Sequence, residues 1–428
     1  MLILDTKYIT LGNNKISIIN KYQNLAKDII KKIKNNTAKG IEMFGWFNYT
    51  RKYTNFDFNQ MLKIKNKWLK ENICDVVVIG IGGSYLGIKA CVDMLYNFQA
   101  KQKLNIFFVY NFHNNFLLNL LNKLKNKKFA IIIVSKSGNT LETSIAFDLF
   151  KNALIQNFGA KAHEYILAIT DKQKGTLHNL VVKYKWSNFV IPNNVGGRYS
   201  ALTSCGMFLF TLLGLDYKMI IKGANDACKE LFTDNLKTNS AFKYACLRHY
   251  FNIKKHKQIE NFIVYDPNLK MIGEVWKQLF GESEGKEGKA LYPTISLFTT
   301  DLHSLGQYLQ DGTRNFFETT LYVKQPILDI NLSIKNNEAN LQYLNNKKLS
   351  NLNDIAMLST IKAHFIEGKV DNVIIYLDQQ NEYHFGYLYT WLCFAAMYSA
   401  YLHNLNPFDQ PGVEIYKNRI TNILKKGK

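Results

Sequence analysis

The sequence predicts an α/β protein built from two successive parallel-sheet units, and three observations carry that prediction. Short runs that are apolar at nearly every position recur along the chain, residues 76–81 and 129–134 being the clearest. Stretches with apolar residues at helical spacing alternate with them. After about Lys254 the alternation begins again. Continuous apolar strands belong to sheets covered on both faces, and the intervening helices supply the cover.

In chain order, the segment to about Leu69 mixes apolar and polar residues at helical spacing, with a turn at 44–48. Residues 76–81 form a strand ending in glycines, and a helix runs from Leu86. A strand at 106–110 leads into a helix through Leu124, and one at 129–134 into a helix from Thr140. Strands at 166–170 and 189–191 complete the first unit. In the second, a strand at 262–265 precedes a helix over 271–280, and one at 295–299 precedes a helix from Asp301. Further strands lie at 316–323 and 373–377, followed by a long apolar helix around Trp391 and a last helix from Gly412. The Asn- and Lys-rich stretch 331–353 reads as an exposed insertion.

A chain of 428 residues that is 47% hydrophobic has room for two or three domains and a sizeable core. Its 20% charged content excludes wholesale disorder. The net charge of +21 raises a nucleic-acid or membrane partner, but lysines recur from Lys7 to Lys428 without one basic block flanked by aromatics. The excess reads as compositional drift, its field aiding anionic substrates at most. The six cysteines include no C-x-x-C pair and no zinc spacing, so they read as buried free thiols in a reducing compartment. MLILDTKYIT lacks the pattern of a signal peptide, and the most apolar segment, 387–402, falls short of the ~20 residues that span a bilayer. A cytoplasmic protein with no metal, membrane or nucleic-acid partner is expected.

Six motifs carry chemistry, all but the last two expected at strand-to-helix junctions, where ligands of open parallel sheets bind. GIGGSYLG (80–87) frees backbone amides for a ligand, yet Tyr85 stands where a dinucleotide fingerprint needs glycine, and taken alone a ligand-free tight turn is favoured. SKSGNTLET (135–143) could be a capped helix start, but four hydroxyls and a lysine exceed what a cap needs and favour a phosphate cradle. In NVGGRYS, Arg198 is either a surface cation or an anion clamp. GESEGK (281–286) is no Walker loop and by itself reads as a solvated charged loop. In TTDLHSLGQ, His303 near a helix start is ordinarily structural or exposed. In NPFDQPGVEIYK, Pro411 suits a first helical turn, Asp409 can cap it, and Lys417 would be solvated on the helix.

Together and in this order, the motifs closely resemble the bacterial form of the glucose-6-phosphate isomerase family, over about 76–417. The resemblance implies two sugar-isomerase (SIS) type three-layer αβα sandwiches, each with a parallel five-stranded sheet, plus helical terminal segments. On that basis residues 1–70 are an N-terminal helical segment, 71–222 and 223–405 the two SIS domains, and 406–428 the helix carrying Lys417. The implied activity is aldose–ketose isomerisation of glucose 6-phosphate and fructose 6-phosphate, with no cofactor. Glu282 matches the family's base between C1 and C2, Arg198 the enediolate stabiliser, and His303 and Lys417 the ring-opening pair. Ser135, Lys136, Ser137 and Thr140 match the phosphate ligands, and Gly83, Ser84, Gln278 and Gln410 the pocket lining. The family's counterpart of His303 enters the neighbouring subunit's site, which implies a homodimer. A phosphosugar sensor without catalysis would need the cradle but not Glu282, His303 and Lys417 together, and a broader isomerase would also accept mannose 6-phosphate.

Overall fold

A computed structural model describes residues 2–11, 15–96, 104–335 and 340–426. Parts of the predicted terminal segments (12–14 and 427–428) and of the predicted insertion (336–339) lie outside the described residues. The chain opens with strand β1 (Leu2–Tyr8) and then divides into two compact units. One comprises Gly40–Cys228 with Phe385–Thr390; the other comprises Met1–Lys39, Lys229–His384 and Trp391–Lys428.

The first unit holds β2 (Asp75–Ile79), β3 (Asn105–Val109), β4 (Phe129–Val134), β5 (Ile166–Thr170) and β6 (Ser187–Val190) in the order β3-β2-β4-β5-β6, all parallel. Every residue of β2, β4 and β5 is buried. Successive strand side chains point to opposite faces, so such strands are covered on both sides. The Val- and Ile-rich composition of these runs suits that packing.

The second unit holds β7 (Ile259–Val264), β8 (Tyr292–Leu297), β9 (Phe316–Gln325) and β10 (Asn372–Gln379) in the order β1-β10-β9-β7-β8. Four strands are parallel, but β1 runs antiparallel on β10, pairing Leu2 with Leu377. This corrects two expectations, that each sheet holds five parallel strands and that the chain opens with helix. β1 escapes the pattern because its burial does not alternate and its partner is remote in sequence. The α/β SIS-type architecture itself is present in both units.

Most predicted strands and helices are present, with boundaries shifted by a few residues. The helix predicted over 271–280 extends to Glu284 (Lys270–Glu284). The long apolar helix spans Glu382–Leu402 and is buried from Phe385 to Ala400. Among the described residues no helix is long and apolar enough to cross a membrane. Of the cysteines expected to be buried, Cys74 is exposed, immediately before β2, and the other five are buried.

Candidate active site

The predicted site residues fall into two groups, one in each unit. In the first sheet β3 lies on one side of β2 and β4, β5 and β6 on the other, so the strand order reverses between β2 and β4. That reversal opens a crevice beyond the carboxyl ends, the usual ligand position in open α/β sheets. The β2 loop delivers Gly83 and Ser84 there, and the β4 loop delivers Ser135, Lys136, Ser137 and Thr140.

Three loops meet around this crevice. A Cβ on Gly83 would fall 2.0 Å from the Gly197 carbonyl oxygen and 2.5 Å from the Arg198 nitrogen, so only glycine lets the β2 and β6 loops touch. Arg198 follows in a short turn, Gly197–Tyr199, and its side chain is buried. Tyr389 holds that turn, its hydroxyl donating to the Arg198 carbonyl at 3.0 Å and accepting from the Ala201 amide at 3.2 Å. No sequence signal singles out Tyr389, which sits within an unbroken apolar helix. Lys136 crosses to the same β6 loop and donates to the Asn193 carbonyl at 3.0 Å. Burial lowers the proton affinity of its ammonium, while nearby Asp171 works against that shift.

The hydroxyls of the β4 loop have distinct local jobs. Ser135 Oγ accepts from the Gly138 amide at 3.1 Å, and Ser137 Oγ accepts from the Asn139 amide at 3.2 Å. An oxygen that accepts from an amide keeps its own O–H to donate. Gly138 bends the loop at φ 73°, where a Cβ would meet the Leu177 amide nitrogen at 2.3 Å. Thr140 is the N-cap of helix Leu141–Phe158 but makes no side-chain capping bond. The cradle thus combines hydroxyl donors, a lysine and a helix N-terminus, a combination suited to a phosphate dianion.

In the second unit GESEGK is not the loop that the sequence suggested. Gly281, Glu282, Ser283 and Glu284 form the last turn of helix Lys270–Glu284, just ahead of the amino end of β8. The motif therefore lies at a helix-to-strand connection, not at a strand-to-helix junction. Hydrophobic spacing hid the extension, because the final turn carries charged residues on a helix whose tertiary contacts sustain it.

The two glutamates in that turn have opposite fates. Glu284 is buried against Arg248, which also pairs with Glu260 deep in the unit. Tyr244 and Thr319 donate to Glu260 at 2.5 and 2.6 Å, closing the network. Glu282 is only partly buried, and Gln278, one turn earlier, donates to its Oε1 at 3.1 Å. Burial separates the pair that the motif sets two residues apart. Lys286, to which the sequence reading gave no role, donates to the Asn406 carbonyl and pairs with Asp409. It ties the end of the Glu282 helix to the loop that carries Gln410. Asp409, expected as a helix cap, is engaged in that pair.

His303 is exposed in the first turn of helix Leu302–Asp311, just past the carboxyl end of β8. Glu282 and His303 of one chain therefore flank opposite ends of β8, whose six residues span roughly 20 Å. Lys417 is exposed on helix Pro411–Lys426 and lies 3.3 Å from Glu414. The second unit thus brings Gln278, Glu282 and the Gln410 loop into one connected region and leaves His303 at the far end of the strand.

Known proteins resemble this chain in sequence and in fold. Residues 63–353 match the family model described as Phosphoglucose isomerase. The glucose-6-phosphate isomerase of Mycoplasmopsis synoviae is 42% identical over 99% of this chain and 100% of its own length. That of Acholeplasma laidlawii is 41% identical over 92% of this chain and 93% of its own. A hypothetical protein of Thermus thermophilus superposes with a TM-score of 0.88 at 26% identity, covering 99% of this chain and 100% of its own. A glucose-6-phosphate isomerase from Chlamydia trachomatis shares the fold with a TM-score of 0.82 at 19% identity, covering 99% and 88% of the two chains.

Proposed function

The chain belongs to the phosphoglucose isomerase family, and from that premise we propose that it interconverts glucose 6-phosphate and fructose 6-phosphate by proton transfer between C2 and C1. The observation that carries this reading is the division of labour in the GESEGK turn. Glu284 is locked in a buried ion network, while Glu282 keeps a partly exposed carboxylate oriented by Gln278.

In this reading His303 and Lys417 assist ring opening, a histidine suiting proton transfer near neutrality. Glu282 takes the C2 proton and returns it to C1 on the same face. The enediolate formed between the two transfers carries negative charge on oxygen, and Arg198 stabilises it without giving up a proton. Ser135, Lys136, Ser137 and Thr140 hold the phosphate, an unreactive handle that fixes the sugar's orientation. Gly83, Ser84, Gln278 and Gln410 line the pocket. No step passes a hydride to a cofactor. Sugar phosphates belong to central carbon metabolism, so the enzyme is assigned to glycolysis and gluconeogenesis in the cytoplasm.

The separation of Glu282 and His303 along β8 supports a homodimer in which each chain lends its histidine to the other's site. Two experiments test these assignments. Glu282→Gln is expected to bind glucose 6-phosphate and lose isomerisation, and exchange of that sugar's C2 proton with solvent that persists in this variant contradicts the assigned base. Mixed Glu282→Gln and His303→Ala chains are expected to regain activity as heterodimers, and verified heterodimers that stay inactive remove the shared site.

A further inference from the structure

The amino-terminal edge of the second sheet carries a basic pocket that shares no residue with the candidate site. Its lining is Thr10, Lys255, Lys257, Phe365, Ile366, Lys369 and Asp371, around a volume of 520 Å³. That size falls within the usual range for small-molecule sites. Lys255 and Lys257 precede β7, and Lys369 and Asp371 precede β10, so the sheet fixes their spacing.

The charge in this pocket is unbalanced. Three ammonium groups face one carboxylate, which leaves two positive charges. Asp371 is already engaged, accepting from the Thr10 amide at 2.5 Å and lying 3.4 Å from Lys255 Nζ. Lys257 is 8% exposed and donates to a neutral group, the Arg314 carbonyl, at 2.6 Å. Burial lowers its proton affinity, Asp371 opposes that effect, and Lys255 and Arg314 reinforce it. Lys369 Nζ donates to the Ile366 carbonyl at 2.6 Å. An ammonium has three N–H donors, so a single bond from each lysine leaves capacity for a ligand.

The wall is also held in place. Arg314 donates to the carbonyls of Gly312, Leu309 and Gly368 at 2.8, 2.9 and 3.0 Å, which pins the turn that presents Lys369. Lys369 sits at φ 55°, a left-handed conformation in which Asn or Gly is more comfortable than lysine. A long cation is kept at a position whose backbone disfavours it.

We propose that this pocket is a second anion site, separate from the phosphate cradle, for a small molecule bearing a doubly charged phosphoryl group. Lys255, Lys257 and Lys369 supply the donors, and Phe365 and Ile366 supply an apolar wall for an organic part.

The test is calorimetric titration of the full chain with inorganic pyrophosphate and, in parallel, with ADP at fixed ionic strength. Lys255→Gln/Lys369→Gln is expected to weaken one saturable binding event about tenfold or more. Ser137→Ala/Thr140→Val, which alters the cradle, is expected to leave that event intact. Lys369→Asn provides a variant whose backbone tolerates the change, and it should weaken binding without lowering the melting temperature. Tighter ADP than pyrophosphate binding would assign the apolar wall to an organic group, and the reverse would confine recognition to the phosphates. Binding that is unchanged in both lysine variants, lost only in the cradle variant, or never saturable overturns the proposal.

Discussion

Lys286 pairs with Asp409, 123 residues further along the chain, and donates to the Asn406 carbonyl in the same loop. The lysine side chain is 11% exposed and the Asp409 side chain 52%, so only the lysine end of these contacts is shielded. They fix the end of the Glu282 helix to the segment leading into Gln410 and the Lys417 helix. Lys286→Met removes both contacts while Asp409 stays solvated, at a cost of about 0.5–1.5 kcal/mol. Steady-state kinetics should show kcat/KM falling about tenfold or more, with kcat affected as well as KM. Asp409→Asn should show a smaller loss, and a Lys286→Met enzyme with unaltered kcat denies the lysine any role in positioning.

The neighbouring glutamates give a sharper contrast. Glu284→Gln breaks a buried pair with Arg248 and is expected to cost about 3–5 kcal/mol, read as a lowered melting temperature. Glu282→Gln, two residues away and partly exposed, should change stability by only about 0.5 kcal/mol while activity disappears. Equal melting temperatures for the two variants would contradict the burial argument.

Gly83→Ala places a methyl 2.0 Å from the Gly197 carbonyl oxygen, and relief requires the Arg198 turn to move. Overpacking of this kind costs about 1–3 kcal/mol. A displacement near 1 Å in a group that stabilises charge can lower kcat about 100-fold. Activity should therefore fall further than stability does. Wild-type kcat in this variant would show that the β2 and β6 loops are not coupled.

His249 and His403 pack against each other with ring centroids 4.8 Å apart, and Tyr22 is 2.8 Å from His249 Nδ1. Burial pushes both imidazoles down to about 4, with His403 adding to the shift at His249 and Arg248 adding to it at His403. Below the ordinary value of about 6.5 the unfolded chain takes up protons that the folded chain resists. The contribution of each histidine is whole above pH 6.5, declines as the pH falls, and is gone below about 4. The loss is about 3 kcal/mol per histidine. Denaturant melts from pH 7 to 4 should show this decline, and His403→Gln should flatten it. A pH-independent midpoint across that window would be inconsistent with buried neutral histidines.

The sequence was most legible where one physical signal dominated. β4 and β5 fall on their predicted residues because a strand covered on both faces must be apolar throughout, and that constraint acts locally. The motifs were recognisable by their order along the chain, since each alone also fits a turn, a helix cap or a solvated loop. β1 is illegible because its identity as a strand depends on pairing with β10 at the other end of the chain. The final turn of the Glu282 helix is illegible because its charged end is held by Arg248 and, through Lys286, by Asp409, both remote in sequence from the turn.

By itself the sequence determined the alternation of strand and helix and the family, since these depend on residue type and local spacing. Only the tertiary structure decided which glutamate of the pair is sealed and which stays accessible, which carbonyls receive Lys136 and Lys286, and that His303 stands at the far end of β8 from Glu282. Those outcomes are set by burial and by partners distant in sequence, and a linear pattern of residues does not encode either.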